Sequence, residues 1–564
     1  MKFDISKQKD IVGLWGIQDW SGNPSPGWSE YCPTHDHCFA VMNKDGEIES
    51  SIELERITKK KYDHRMSKYI EDFSTVLPED FVLVCVNHYA GTSFISENGL
   101  WRVESMPFNI SDLIVQTKAI VNRKERETYI CSHELAHIGS LLPFIGDFKE
   151  NSLLIHIDGL ASDSCFSVFQ YKNGEIEYIH HGWEPLEVVQ LFGFNDLTCA
   201  MLDLDDNHRL ATPGRLMGYS SFGKYDKKIR NWLVRNSWYK DFWSNPSKFF
   251  EDVNKEFGLD IKEFDLKNQF FMDIAAVCQK EFEDVIYDLI IKFKEQIGCT
   301  NLYFSGGSAL NINLNTKLSF SNVFDEVYIP PCCSDTGLAL GAACIIQKLR
   351  GGDVKKHSPF LNSIGLEKKV IPNLSDEIVE KIVDRLYKEE VMGVSIGCSE
   401  SGPRALGHRS ILAIPSSKRM YTRVSTEIKG REWYRPLAPI IIDELAEEVF
   451  PNSTKTNLSR YMLCNFDISE KWIEKIPAVV HIDKTSRAQV VYKEQKELEP
   501  IYKILKRMWE KYGIPCLINT SFNGNGRPIV HTDEDAISTA KELGVDFVLV
   551  DDKIIEINDN AKEE

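Results

Sequence analysis

The chain lacks any Cys-x-x-Cys pair, although it carries fourteen cysteines. Thiolates at that spacing frame structural zinc sites and dithiol redox centres, so neither is expected. Cys332 and Cys333 are adjacent, which suits a shared zinc poorly. Reduced, mostly buried thiols in a cytoplasmic protein fit best. No run of about 18 apolar residues occurs, so no membrane-spanning helix is expected. Met1 to Asp10 mixes Lys and Asp without an apolar core, so no secretory signal is expected either. Positive charge is in short supply: 66 Lys and Arg against 84 Asp and Glu leave a net charge of −18. That disfavours an extended nucleic-acid surface and leaves room only for a local basic pocket.

What is present begins with length. A chain of 564 residues exceeds one core and predicts two or three domains. An internal echo suggests duplication: Lys44-Asp45-Gly46-Glu47-Ile48-Glu49 recurs as Lys172-Asn173-Gly174-Glu175-Ile176-Glu177. Asp-Gly and Asn-Gly between apolar runs mark two-residue hairpins. Each echo follows an apolar strand, Ile11–Leu14 in one case and Leu153–Ile157 in the other. The Trp-, Gly- and Pro-rich stretch 15–31 reads as a loop that either covers a pocket or decorates the surface. Residues 227–294 read as helices, with Phe264, Phe270, Phe271, Ile274 and Val277 at helical spacing. A Lys- and Gly-rich break over 349–357 precedes a helix predicted over 376–388 and a strand over 391–395, which places a domain boundary near 360–372.

Cys131-Ser132-His133-Glu134-Leu135-Ala136-His137 puts two histidines one helical turn apart, able to grip one metal ion. The same string matches the zinc-protease signature with Glu134 as general base. A protease needs a third ligand from a nearby downstream element, and no His- or Glu-rich helix offers one. Ser305-Gly306-Gly307-Ser308-Ala309-Leu310-Asn311 runs from a strand into a helix through a Gly-Gly turn. Its backbone amides suit a phosphate, although a plain turn reads the same way. Asp335 stands before the small-residue helix 338–343, either as its N-cap or as a further ligand beside His133 and His137.

The C-terminal third is rich in arginine motifs: Gly402-Pro403-Arg404-Ala405-Leu406-Gly407, Lys429-Gly430-Arg431-Glu432-Trp433-Tyr434-Arg435-Pro436, Arg487-Ala488-Gln489 and Asn519-Thr520-Ser521-Phe522-Asn523. Arginine binds phosphate and carboxylate through a planar fork of donors. Together, beside Gly, Pro and Ser turns in an acidic chain, they predict a recessed polyanion pocket.

These motifs resemble, over nearly the whole length, the O-carbamoyltransferases that include the nodulation-factor, cephamycin and tobramycin carbamoylation enzymes. Thr34-His35-Asp36, the run Glu53 to Lys61, Ile157-Asp158-Gly159 and Pro213-Gly214-Arg215 share in the likeness. The resemblance implies an α/β protein. An N-terminal actin-like (ASKHA, TsaD-like) duplicated domain over 1–365 would be followed by a YrdC-like α/β domain over 366–564. It implies that carbamoyl phosphate and ATP, with Mg²⁺, give carbamoyl adenylate with release of phosphate and pyrophosphate. The carbamoyl group would then pass to a hydroxyl of a small-molecule acceptor.

By the same resemblance, Arg404, Lys429, Arg435 and Arg487 would neutralise phosphate, with Lys61 on the nucleotide. Ser521 and Asn523 would hydrogen-bond phosphate or carbamoyl. Gly214, Ser305, Gly306, Gly307 and Asn311 would contact the nucleotide. His133, His137, Asp158 and Asp335 would hold a divalent metal, with iron expected, and His35 would be the base for the acceptor hydroxyl. The sequence departs from the family pattern at Glu134, at Arg215, in the C-terminal loop at Arg527 and Asp533, and in a longer Trp-rich insertion before His35; the last two departures point to an unusual acceptor or an altered domain contact. A monomer or homodimer without nucleic-acid or membrane partners is expected. Two rival enzymes share parts of this pattern. An actin-like small-molecule kinase leaves the C-terminal arginines unexplained, and a threonylcarbamoyl-adenylate tRNA-modifying enzyme conflicts with the acidic charge.

Overall fold

The apolar strand at the start of the chain seeds the first sheet. In a computed structural model, which describes all residues except 1–3, 17–33, 89–92, 107–111, 193–195, 205, 239–241, 243–244, 368–369 and 558–564, β1 (Asp10–Trp15) pairs antiparallel with β2 (Cys38–Met42) and parallel with β4 (Phe81–Val86). β2 pairs antiparallel with β3 (Ile48–Glu53), and β4 pairs parallel with β8 (Lys124–Cys131). β5 (Phe94–Ile95), β6 (Trp101–Val103) and β7 (Ile114–Val121) extend this sheet beyond β8 in antiparallel steps.

A second sheet repeats the same plan. β9 (Ser152–Ile157) pairs antiparallel with β10 (Phe166–Lys172) and parallel with β12 (Asn301–Ser305). β11 (Glu175–Gly182) flanks β10, and β13 (Glu326–Tyr328) flanks β12. The orders β3-β2-β1-β4-β8 and β11-β10-β9-β12-β13 are equivalent in direction and connection. The two hairpins differ in detail. Asn173 and Gly174 sit at φ 54° and 75°, as a two-residue turn requires. The first hairpin instead has a longer loop, because the Asn43 side chain accepts from the amides of Asp45 and Glu47 and Asn43 N–H donates to Glu47 O. Trp15 belongs to β1 and is buried, not part of a loop; residues 17–31 of the expected loop lie outside the described residues.

Between β11 and β12 the helical stretch predicted from the sequence contains α2 (Lys227–Asn236), α3 (Pro246–Phe257) and α4 (Gln269–Ile297), which follow α1 (His133–Gly139) of the first half. α5 (Leu338–Leu349) then lies against β1, β2 and α1. Small residues permit this closeness. A Cβ on Gly341 would stand 1.8 Å from Ala136 O, and one on Gly139 would stand 2.2 Å from Gly341 O. The two helices therefore touch backbone to backbone.

Beyond α5 the chain runs to α6 (Asp376–Tyr387) with Asn362 as a bridge residue, paired to Ser51 on one side and Ser399 on the other. A third, mixed sheet follows. It is built from β14 (Met392–Ser395), β15 (Ser410–Ala413), β16 (Ala438–Ile442), β19 (Gln489–Val491), β20 (Cys516–Ser521), β21 (Phe547–Val550) and β22 (Lys553–Glu556) in the order β19-β16-β20-β15-β14-β21-β22. β17 (Phe466–Asp467) and β18 (Thr485–Ser486) form a small separate ladder. The architecture is thus α/β. One apolar cluster runs without a break from Ile155 and Ile157 of β9 through α4 into Val394 and Ile440 of the third sheet. Among the described residues no helix is long and apolar enough to cross a membrane.

Candidate active site

Ser132 caps α1 by accepting from Leu135 N–H at 3.0 Å, which starts the helix on His133. His133 and His137 then project from successive turns, with their Nε2 atoms 3.1 Å apart. Asp335 Oδ1 lies 3.4 Å from both, and Asp158 Oδ2 lies 3.5 Å from His137 Nε2. Donors about 2.1 Å from one ion in tetrahedral array stand about 3.4 Å apart. The four buried side chains thus match a divalent cation in spacing and in donor type, two imidazoles and two carboxylates. Asp335 is not an N-cap. It opens a 3-10 turn, Asp335–Gly337, ahead of α5, and its carboxylate turns to the histidines. Burial opposes its ionisation, yet His133 and His35 hold it well below the usual carboxylate range. Burial likewise opposes a proton on His133, but Asp335 raises it overall.

Glu134 accepts from Ser162 N–H, Asp163 N–H and Ser164 Oγ–H at 3.0, 3.1 and 3.0 Å. A carboxylate so engaged anchors the loop after β9 and is not the general base of a protease. The Gly-Gly turn also departs from expectation. Gly306 N–H donates to Cys333 O at 2.8 Å, and Gly307 N–H donates to Asp158 Oδ2 at 2.5 Å. Those two amides are not free for phosphate; they tie the turn to the segment bearing Asp335 and to Asp158. Gly306 has φ 101°, and a Cβ there would lie 2.1 Å from Ile157 O. Ser305 is buried behind it, with Oγ 3.1 Å from Ser140 Oγ.

His35, Lys61, Asp158, Gly214, Gly307, Asn311, Arg404, Lys429, Arg435, Arg487, Ser521 and Asn523 all line one cavity of about 320 Å³. Ser305, Gly306, His133, His137 and Asp335 do not, but Asp158, which does, reaches to 3.5 Å from His137 Nε2. His35 Nδ1 is 3.0 Å from Asp36 Oδ2. Burial works against its proton, but Asp335, Asp36 and Asp158 push His35 up to about 10. A dication among those carboxylates would remove the charge that raises it.

Part of the cavity wall is cationic. Burial, with mutual repulsion, pushes Arg404 down to about 10 and Arg431 to about 9, and holds Arg487 well below its ordinary value. Glu432 partly balances this set through Arg215 at 2.7 Å and Arg435 at 3.4 Å. The Nε atoms of Arg404 and Arg487 are buried without a partner, as at a site built to receive an anion. Lys429 has a different task in the ligand-free chain. Its Nζ donates to Ser521 O at 2.6 Å and to the carbonyl and side-chain oxygens of Asn523, which fixes that loop.

Sequence reasoning missed several wall residues. Arg431 lies two positions after Lys429, and only its charge marked it. Arg56 is fully buried and joins the two halves. It donates through Nε to Glu53 Oε2 at 3.0 Å and through Nη2 to Gly402 O at 2.8 Å. Glu53 Oε1 accepts from Gly402 N–H at 2.6 Å and from Asn362 Nδ2 at 3.1 Å. Gly402 has φ 92°, and a Cβ there would meet Pro331 O at 2.1 Å. The Arg404 turn is thereby pressed onto the strand end that leads to Asp335. Arg527 and Asp533 bond within the C-terminal part, to Glu542 and Ser395 at 2.6 and 2.7 Å.

Two family descriptions match this chain. The description "Carbamoyltransferase N-terminus" matches residues 89–344, and "Carbamoyltransferase C-terminus" matches residues 383–556. An uncharacterized protein of Methanocaldococcus jannaschii is 24% identical over 98% of this chain and 96% of its own length. Nodulation protein NolNO of Sinorhizobium fredii is 25% identical over 92% of this chain and 78% of its own length. Nodulation protein U of the same species is 35% identical, over 41% of each chain. Among solved structures, full-length HypF in its phosphate- and nucleotide-bound form covers 61% of this chain and 47% of its own, at 17% identity and a TM-score of 0.30, too low to bear on the fold. Because both parts of one family match in order, the chain belongs to the carbamoyltransferase family and is an enzyme of carbamoyl transfer.

Proposed function

We propose that this enzyme makes carbamoyl adenylate from carbamoyl phosphate and ATP, and passes the carbamoyl group to a hydroxyl of a small-molecule acceptor. With one water consumed, the first step yields phosphate and pyrophosphate; the second yields the carbamate ester and AMP. The observation that carries the reading is one cavity lined both by Arg404, Arg431, Arg435 and Arg487 and by His35 and Asp158. A carbamoyl carbon is a poor electrophile, and the adenylate provides a leaving group. The arginines bind and screen the phosphates of both substrates, with Lys61 reaching the nucleotide. Ser521 Oγ–H, 2.7 Å from Asn523 Oδ1, and the loop that Lys429 anchors orient the phosphate or carbamoyl group. Gly214, Gly307 and Asn311 border the nucleotide, and Mg²⁺ accompanies ATP.

His133, His137, Asp158 and Asp335 would hold the metal, which when bound supplies Lewis-acid polarisation. Iron is our expected ion. Asp36 orients His35, which takes the acceptor's proton. The repeated strand order supports an actin-like, TsaD-like unit over 1–365, and the third sheet a YrdC-like unit over 366–564. The setting is a cytoplasmic monomer or homodimer engaged with small molecules, in natural-product biosynthesis.

The test is incubation of the purified chain with ATP and carbamoyl phosphate. Pyrophosphate and AMP-linked carbamoyl, detected by mass spectrometry, are expected. Release of ADP instead would point to a kinase of the actin-like class.

A further inference from the structure

β9 is an apolar strand buried over its whole length, and one residue in it is out of character. Strand alternation puts Leu153, Ile155 and Ile157 on one face and Leu154 and His156 on the other. Leu154 packs in the cluster that contains Leu135 and Ala136 of α1, so the layer around His156 is the one behind the metal ligands. An imidazole there needs polar partners. Its Nδ1 has one, Ser167 Oγ at 3.2 Å on the neighbouring strand β10. Its Nε2 is buried with none. The ring stacks on His137, with centroids 4.9 Å apart and planes inclined by 24°, and lies 6.2 Å from the ring of His133. One nitrogen from each of His133, His137 and His156 lies within 4.8 Å of the others.

We propose that His156 is a third histidine donor to the divalent ion at His133 and His137. The inference rests on the reading of that cluster as a metal centre. In this arrangement Nδ1–H donates to Ser167 Oγ, and the Nε2 lone pair turns to the ion. A plain core histidine would leave Nε2 unsatisfied, which native interiors rarely tolerate. A ligand role accounts for both nitrogens, because ligating imidazoles generally donate their second N–H to an oxygen. A third imidazole also changes the donor balance. Nitrogen-rich sets favour zinc, iron or cobalt over manganese and magnesium.

The test uses the full chain, stripped by a chelator and loaded with Zn²⁺, Co²⁺ or Mn²⁺. X-ray absorption at the zinc edge of the wild type should count three imidazoles. His156→Phe, or His156→Gln if the first variant does not fold, should show two, with zinc affinity lower by at least about tenfold. Manganese affinity should move less, and the cobalt spectrum should change. Two imidazoles in the wild type would overturn the inference, as would unchanged zinc affinity in folded His156 variants. If His133→Ala loses zinc while the His156 variants keep it, the metal centre stands and only this inference fails. A wild type that binds none of the ions rejects the metal centre and, with it, His156 as a ligand. Should neither His156 variant fold, the wild-type imidazole count decides.

Discussion

Two sets of residues on the one cavity are built on opposite electrostatic plans. Around His35 burial is outweighed by the carboxylates of Asp335, Asp36 and Asp158, which push its proton affinity up to about 10. In the other set, arginines crowd one another and burial pulls Arg431 down to about 9. Each set is short of the charge that a bound partner would bring, a cation in the first case and phosphates in the second.

The comparison can be broken most sharply by substitution in either set. Arg435→Ala is expected to lower pyrophosphate release from ATP and carbamoyl phosphate by about 10²–10³-fold, because it removes a charge from the phosphate wall. His133→Ala should leave pyrophosphate release in place and stop carbamoyl transfer, read as acceptor product by mass spectrometry. Loss of both activities in both folded variants would sink the division of labour. Next in size is the clamp between the halves. Arg56→Met leaves Glu53 buried without its partner and should cost about 3–5 kcal/mol in chemical denaturation, with weaker adenylate formation in what remains folded. Glu53→Gln together with Arg56→Met should recover part of that loss.

Smaller effects sharpen the metal site. Gly341→Ala forces α5 from α1 and should cost about 1–3 kcal/mol while weakening divalent-ion binding, measured by calorimetry. The smallest effect concerns pH. His35 is raised from 6.5 to about 10, so its proton stabilises the ion-free fold fully below pH 6.5, and that share is lost as pH rises toward 10. Zinc should lower the His35 value, followed by NMR titration, and flatten this slope. An unchanged His35 titration on loading would place the ion elsewhere.

Local strings made much of the site legible. His133 and His137 are a turn apart in sequence, so one short helix suffices to join them. The arginine motifs sit beside Gly and Pro turns, which mark loops at strand ends. Other parts were hidden because their partners are distant. Glu53 and Gly402 are separated by more than half the chain, and no local pattern links them. The Gly306-Gly307 turn could be read as a phosphate cradle or as a plain turn; in the fold its amides donate to Cys333 and Asp158. Asp335 could be read either as a cap or as a ligand from its place before a helix, and only the fold turns its carboxylate to the two histidines. His156 broke the apolar pattern of its strand, a signal that sequence alone could have raised.

Periodicity and turn chemistry, which act over a few residues, determined the repeated strands, the helix of the histidine pair and the cationic turns. Only the tertiary structure decided that these motifs share one chamber. Charge screening, orphaned nitrogens and helix contact at Gly139 and Gly341 depend on distances across the fold, and those distances emerge only when the sheets and helices pack.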